Sequence, residues 1–278
     1  MSQSARITLI VDDVAGSGLM PEHGLAMWVE RGGAHVLFDT GAGGALLPNA
    51  ASLGIDLSRA DAVVLSHGHY DHTGGLEQVL DAAPRAKVYA HPRALRLRYR
   101  AAAGGKSRSI GMPRTCARRL RHEAGRAVLS ARPACVAEGI FTTGAIPRRF
   151  GPEKAGRDFF LDAACTVPDV VEDDQALLVE TGGGLVVLLG CAHAGVINTL
   201  EHIRTMHPGR RIRAVIGGMH LKSASPNRLA WTLHHLGRCG AEMIACAHCT
   251  GKVAGFAMRQ LFGKACHSCR AGSRFVFD

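Results

Sequence analysis

The sequence predicts a layered α/β fold, on three observations. Short apolar runs of strand length alternate with stretches of helical spacing along most of the chain. A dense cluster of metal-competent side chains follows directly on one of those runs, and α/β sheets place their sites at strand C-terminal ends. The 278 residues, 47% of them hydrophobic, can bury a sizeable core, and they fit one unit over 1–278 better than two weakly separated halves.

The chain opens with ITLIVDD, an apolar run suited to a first strand. GLAMWVE and HVLFDTG supply the next two, and Gly32-Gly33 between them marks a hairpin. Glu22 and His23 lie in the loop before the second strand, and Asp39-Thr40-Gly41 after the third reads as a turn and helix cap. Residues 46–53 then read as a helix, 62–65 as a strand, 76–82 as a helix and 87–90 as a strand. From 93 to about 132 the periodicity degrades into an insertion or lid. There Gly104-Gly105 and Gly111-Met112-Pro113 break two arginine-rich helical stretches. Residues 139–144 form a strand leading into Ile146-Pro147-Arg148, and 150–166 are irregular. Two strands at 176–180 and 185–189 flank Thr181-Gly182-Gly183-Gly184; no helix follows those glycines directly, so they make a hairpin and not a phosphate loop. A helix at 196–206, a strand at 212–216, a helix at 227–236, a strand from 243 to 245 and an edge strand at 275–277 complete the pattern.

Composition excludes several classes. No run approaches the roughly 18 apolar residues of a membrane span, and MSQSARITLIVDD lacks the features of a signal peptide, so the expectation is a cytoplasmic protein without membrane partners. Nine cysteines, an odd number in a chain this long, do not read as a disulfide framework. Net charge is +10, and between Arg93 and Arg126 eleven Arg or Lys residues face a single acid, Glu123, so this segment alone accounts for an equal excess. Such guanidinium groups bind phosphate or carboxylate, or else simply solvate a helix face. Tyr99 is the one aromatic in the stretch, which argues against nucleic acid, since stacking platforms are missing.

The chemistry concentrates in VVLSHGHYDHTGGL. His67, His69, Asp71 and His72 put four donors on six consecutive residues. At a strand end His67 and His69 point to one side, while Asp71 and His72 occupy the following turn. Neutral imidazole and carboxylate are good zinc ligands, and an incomplete ligand set leaves a coordination position for water. A second constellation competes at the C-terminus: Cys246-x-x-Cys249 and Cys266-x-x-Cys269, 16 residues apart, have the spacing of a four-cysteine structural zinc, or are small buried hydrophobes.

SHGHYDHTGG resembles the His-x-His-x-Asp-His signature of the metallo-β-lactamase superfamily. EHGLAMWVE, VLFDTG, TTGAIPR, GCAHAGVINTLEHI, IGGMHL and AHCTG extend the resemblance over nearly the whole chain, to a branch of dihydropterin ribofuranosylaminobenzene phosphate synthase-like proteins. The resemblance implies a four-layer αββα fold, here with a basic helical insertion, and a pair of divalent metal ions, zinc first, with manganese or iron as alternatives. It makes Asp39 a support that orients ligands from behind. Glu22, His23, Arg148 and Thr250 fall on its substrate side, with Arg148 the leading anion anchor. Cys191 occupies the position where many members carry a bridging aspartate, and thiolate is a good zinc ligand. The histidine that many members carry ahead of these strands is missing, because the region reads Glu172-Asp173-Asp174. His193 is favoured to replace it, over Asp173 or Asp174. Of the two later histidines, His248 is favoured for the second metal with Asp71 and His72, leaving His220 to contact substrate or move a proton. His202, His207, His234 and His235 read as packing or surface residues.

The function expected is a metal-dependent hydrolase of a small anionic molecule, foremost a phosphate ester or phosphodiester, with a water activated by metal and oriented by Asp71. The runner-up is condensation of a pterin with an aminobenzene ribose phosphate, set back by the scarcity of aromatic residues for a pterin wall. Behind it stand a nucleic-acid-processing enzyme and a non-hydrolytic metal protein. Oligomeric state stays open, a homodimer included.

Overall fold

The computed structural model describes residues 4–102, 106–123, 125–153 and 158–278. Two seven-stranded sheets form its centre. The first runs in the order Arg274–Phe277, Ala5–Val11, Ala26–Arg31, Ala34–Phe38, Ala62–Val64, Lys87–Ala90 and Ala127–Leu129. Its first four strands are antiparallel and the rest join in parallel. The second runs Cys266–Ser268, Met243–Cys246, Ile212–Gly217, Gly184–Leu189, Leu177–Thr181, Ile140–Thr142 and Ala134–Ala137.

The layering follows from period-two alternation in strands that are apolar on both faces. Val36 and Phe38 pack with Leu177, Val179, Val186, Leu188 and Ile216 between the sheets, whereas Leu37 turns the other way. Leu37, Val63 and Val88 meet the helices Leu46–Ser52, Leu76–Ala82 and Arg114–His122 on the outer face of the first sheet. On the second sheet Leu178, Val187 and Val215 meet Val196–Met206, Pro226–Arg238 and Lys252–Phe262. Three apolar layers between four layers of structure give the αββα arrangement. No helix among the described residues is long and apolar enough to cross a membrane.

The insertion departs from expectation. Its first arginine-rich stretch opens with a single 3-10 turn, Pro92–Leu95, and continues as a strand, Tyr99–Ala101, paired antiparallel with Ser107–Ser109; the second is a helix, Arg114–His122. The expected Gly104-Gly105 break lies outside the described residues. Strand is the better solution because Tyr99–Ala101 finds hydrogen-bonding partners on both sides, Ser107–Ser109 and Phe159–Phe160, while Arg98 just ahead of it turns inward to Asp169 and Asp173. Nor does the insertion sit apart from the site: the Tyr70 N–H donates to the Ile110 carbonyl at 3.0 Å, and Gly111 bridges to His69.

Candidate metal centre

The strand Ala62–Val64 runs into Ser66-His67-Gly68-His69, and the short helix Tyr70–Thr73 carries Asp71 and His72. All four donors are buried. Gly68 permits this path, since a Cβ there would come within 2.1 Å of the Ala94 carbonyl oxygen. The Gly68 N–H donates to Asp173, whose carboxylate also takes two hydrogen bonds from Arg98. Arg98, 1% exposed, pairs with Asp169 at 2.9 Å as well. Asp173 is therefore committed to holding the histidine loop from behind and does not compete as a donor. Asp174 likewise accepts from the Ala194 N–H at 2.7 Å, and burial pushes its carboxyl up to about 7.

Two donor groups converge. In the first, His67 Nε2 lies 2.9 Å from His69 Nδ1 and 3.2 Å from His193 Nε2. In the second, Asp71 Oδ2 lies 3.9 Å from His72 Nε2 and 3.5 Å from His248 Nε2. Cys191 Sγ stands between them, 3.2 Å from His72 Nε2 and grouped within 4.8 Å with His67 and His72 on one side and with His193 and His220 on the other. Asp39 accepts from the Ser66 N–H, the Ser66 hydroxyl and His72 Nδ1, each at 2.7 Å, which fixes His72 with Nε2 toward the cluster. Asp13 does the same for His248, 2.6 Å from its Nδ1, and the sequence reading missed it. The signal was the acidic pair closing ITLIVDD at a strand's C-terminal end. Asp12 also serves there, accepting the His248 N–H at 2.8 Å.

The donor set fits divalent cations. Imidazole nitrogens about 3.3 Å apart span an edge of a tetrahedron with bonds of roughly 2.0–2.1 Å. Burial depresses His67 and His193 well below the usual imidazole range and takes His69 down to about 3, so all three are neutral and have lone pairs to give. His72 and His248 go the other way. Burial opposes their charge, but Asp39 for His72, and Asp13 and Asp71 for His248, draw a positive charge to these rings. A cation would meet the same demand. Burial pushes the Cys191 thiol up, a cost that metal coordination offsets. Strain gathers here too: Asp39, Ala192, His220 and His248 all take left-handed backbone conformations, on the order of 1 kcal/mol each.

These groups open into a cleft of about 510 Å³. His23 lines it, with Nε2 3.4 Å from Asp71 and Nδ1 3.3 Å from Asp13. His220 forms part of the wall, its ring 4.4 Å from that of His193 and its Nδ1 without a hydrogen-bond partner among the described residues. Phe159, from a stretch that the sequence left unassigned, packs on His69 and His193. Three substrate-side expectations fail. Glu22 faces away, accepting the N–H groups of Ala42, Gly43, Gly44 and Ala45 and so closing the turn ahead of the helix Leu46–Ser52. Arg148 donates to the carbonyls of His193, Val170 and Val171, so its guanidinium braces the His193 loop and is not offered to an anion. Thr250 is buried beneath the cleft, its hydroxyl accepting the Met219 N–H at 3.1 Å.

The cations on the cleft wall are instead Arg100, 3.8 Å from Asp158, Arg108, which donates to the Tyr70 hydroxyl, and Lys222. Other arginines of the insertion are held by acids away from the cleft: Arg93 by Glu172, Arg98 by Asp169 and Asp173, Arg119 by Asp81 and Glu123, Arg126 by Glu123. The four-cysteine constellation divides as well. Cys246 and Cys266 lie 4.0 Å apart in the outer core of the second sheet, Cys269 packs between the sheets, and Cys249 faces the cleft. His202 and His235 contact backbone carbonyls of Thr143 and Trp231 away from the centre.

Comparison with known proteins adds four findings. The profile of the metallo-beta-lactamase superfamily matches residues 19–194. The sequence is similar to the 7,8-dihydropterin-6-methyl-4-(beta-D-ribofuranosyl)-aminobenzene-5'-phosphate synthase of Methanocaldococcus jannaschii, 31% identical over 259 residues, covering 88% of this chain and 87% of the relative. The structure is similar to that of Tm1679, a metal-dependent hydrolase of the beta-lactamase superfamily, at 31% identity with a TM-score of 0.82 over 98% of each chain. It also shares the fold of YhfI from Bacillus subtilis, at 14% identity and a TM-score of 0.61 over 98% of this chain and 99% of that one.

Proposed function

This chain belongs to the metallo-beta-lactamase superfamily, and we propose from that premise that it is a metal-dependent hydrolase of a small anionic molecule, foremost a phosphate ester or phosphodiester. The observation behind the proposal is the convergence of His67, His69 and His193 beside Asp71, His72 and His248, with Cys191 between, at the floor of a cleft bearing Arg100, Arg108 and Lys222. These residues would hold two divalent ions, zinc by the softness of the donors. Bound there, the ions would lower the pKa of water toward neutrality and stabilise charge developing on a phosphoryl or acyl oxygen.

The chain's own groups do the rest. Asp71, buried yet held ionised by His248 and its other histidine neighbours, aims a carboxylate oxygen at the space above the donors and can orient the attacking water. His220 stands on the cleft wall beside His193, where an imidazole can pass a proton to a departing oxygen. Arg100 and Arg108, directly opposite each other across their strand pair, and Lys222 receive the anionic part of the substrate. Asp39 and Asp13 keep His72 and His248 turned inward throughout.

The likeness to the M. jannaschii synthase favours a second reading, condensation with loss of a pyrophosphate-type leaving group; Tyr70 and Phe159 are the aromatic faces the cleft could offer a pterin. A screen with a chromogenic phosphodiester, a phosphomonoester and a lactone, run beside a His67→Ala His69→Ala variant, tests the hydrolase. The expected result is cleavage of a phosphate ester by the wild type and loss of at least about a hundredfold in the variant. A variant as active as the wild type on every substrate cleaved would end the proposal.

A further inference from the structure

We propose that Cys249 is an additional metal donor, giving the second metal position two thiolates, from Cys191 and Cys249, beside His248. The inference rests on the metal-centre reading above and extends it to a residue outside the expected ligand set. The sulfur of Cys249, the sulfur of Cys191 and a ring nitrogen of His248 all lie within 4.8 Å of one another. The turn His248–Thr250 puts the two side chains on the cleft together, the one residue directly after the other.

The competing explanation for a buried cysteine is apolar packing. The other buried cysteines illustrate it: Cys116, Cys246, Cys266 and Cys269 each belong to one of the apolar clusters of the core. Cys191 and Cys249 belong to none of them. The neighbours of Cys249 are polar and donor-bearing. Its sulfur accepts the His220 N–H at 3.3 Å, the kind of backbone hydrogen bond that tunes a metal thiolate. It also lies 3.7 Å from the Cys191 carbonyl oxygen. Gly218 makes the room, since a Cβ there would come within 2.7 Å of that sulfur. Two thiolates and an imidazole select zinc, cobalt or cadmium over manganese or magnesium, because the softer ions bind sulfur and the harder ones prefer oxygen.

Cobalt(II) added to metal-free protein under reducing conditions reads the sulfur count directly, through near-ultraviolet thiolate-to-cobalt absorption. The expected result is that Cys249→Ser and Cys191→Ser each remove about half of that absorption and that Cys249→Ser weakens zinc binding about tenfold or more. Full wild-type absorption in Cys249→Ser overturns the role of Cys249 and leaves the metal centre standing. A wild type that binds no cobalt overturns both. The unmodified protein supplies a test that does not depend on the variant folding: zinc should protect Cys249 from a small alkylating reagent, as read by peptide mass spectrometry, and equal labelling with and without zinc would contradict the assignment.

Discussion

His69 shows what burial does to a single ligand. The residue is 5% exposed, and desolvation takes its pKa from 6.5 to about 3, so the folded protein declines the proton that an unfolded chain accepts. The consequence for stability has a definite sign. Above pH 6.5 neither state is protonated at this residue and the contribution is whole. As pH falls from about 6.5 toward 3 the unfolded state gains the proton first and stability is lost, by at most about 5 kcal/mol. Urea unfolding of the metal-free protein across that window should therefore be less steeply pH-dependent in His69→Gln than in the wild type; identical slopes would show that His69 is not held neutral by the fold. The four donors from His67 to His72 were legible from the sequence because their spacing is local. Asp13 was not, because it reaches His248 across 235 positions, and nothing in ITLIVDD reveals the partner of a terminal carboxylate.

Among elements, those defined by periodicity were legible nearly to the residue, as in Leu76–Ala82, Lys87–Ala90 and Val196–Met206. Apolar spacing alone determines such segments. The insertion was misread where that spacing fails. Arginine is a good helix former, so Arg96, Arg98 and Arg100 looked helical, but a buried salt bridge from Arg98 to Asp169 and Asp173 and the pairing of Tyr99–Ala101 with Ser107–Ser109 decide otherwise. Arg148 was misread for the same reason: three carbonyl partners distant in sequence claim a guanidinium that looked free. In the proposed function the hairpin takes the role expected of Arg148. Replacing Arg100 and Arg108 together with alanine should raise KM for an anionic substrate about tenfold while kcat stays within about twofold, and the remaining KM should depend less on salt. An unchanged KM would place the anion elsewhere in the cleft.

Over the whole molecule the two sheets each contribute half of the centre. The first brings Asp13, Asp39 and the loop from His67 to His72; the second brings Cys191, His193, His220 and His248, each just beyond the end of a strand. The donors meet only where the sheets pack, so the site forms when that packing forms, and bound metal should in turn stabilise the packed state. Whether activity belongs to bound metal can be measured directly. Protein stripped by chelator and kept reduced should be inactive on the phosphate ester that the wild type cleaves. Zinc added stepwise should restore activity to a plateau at about two equivalents per chain. Full activity in the stripped protein, verified to be metal-free by mass spectrometry, would contradict the account.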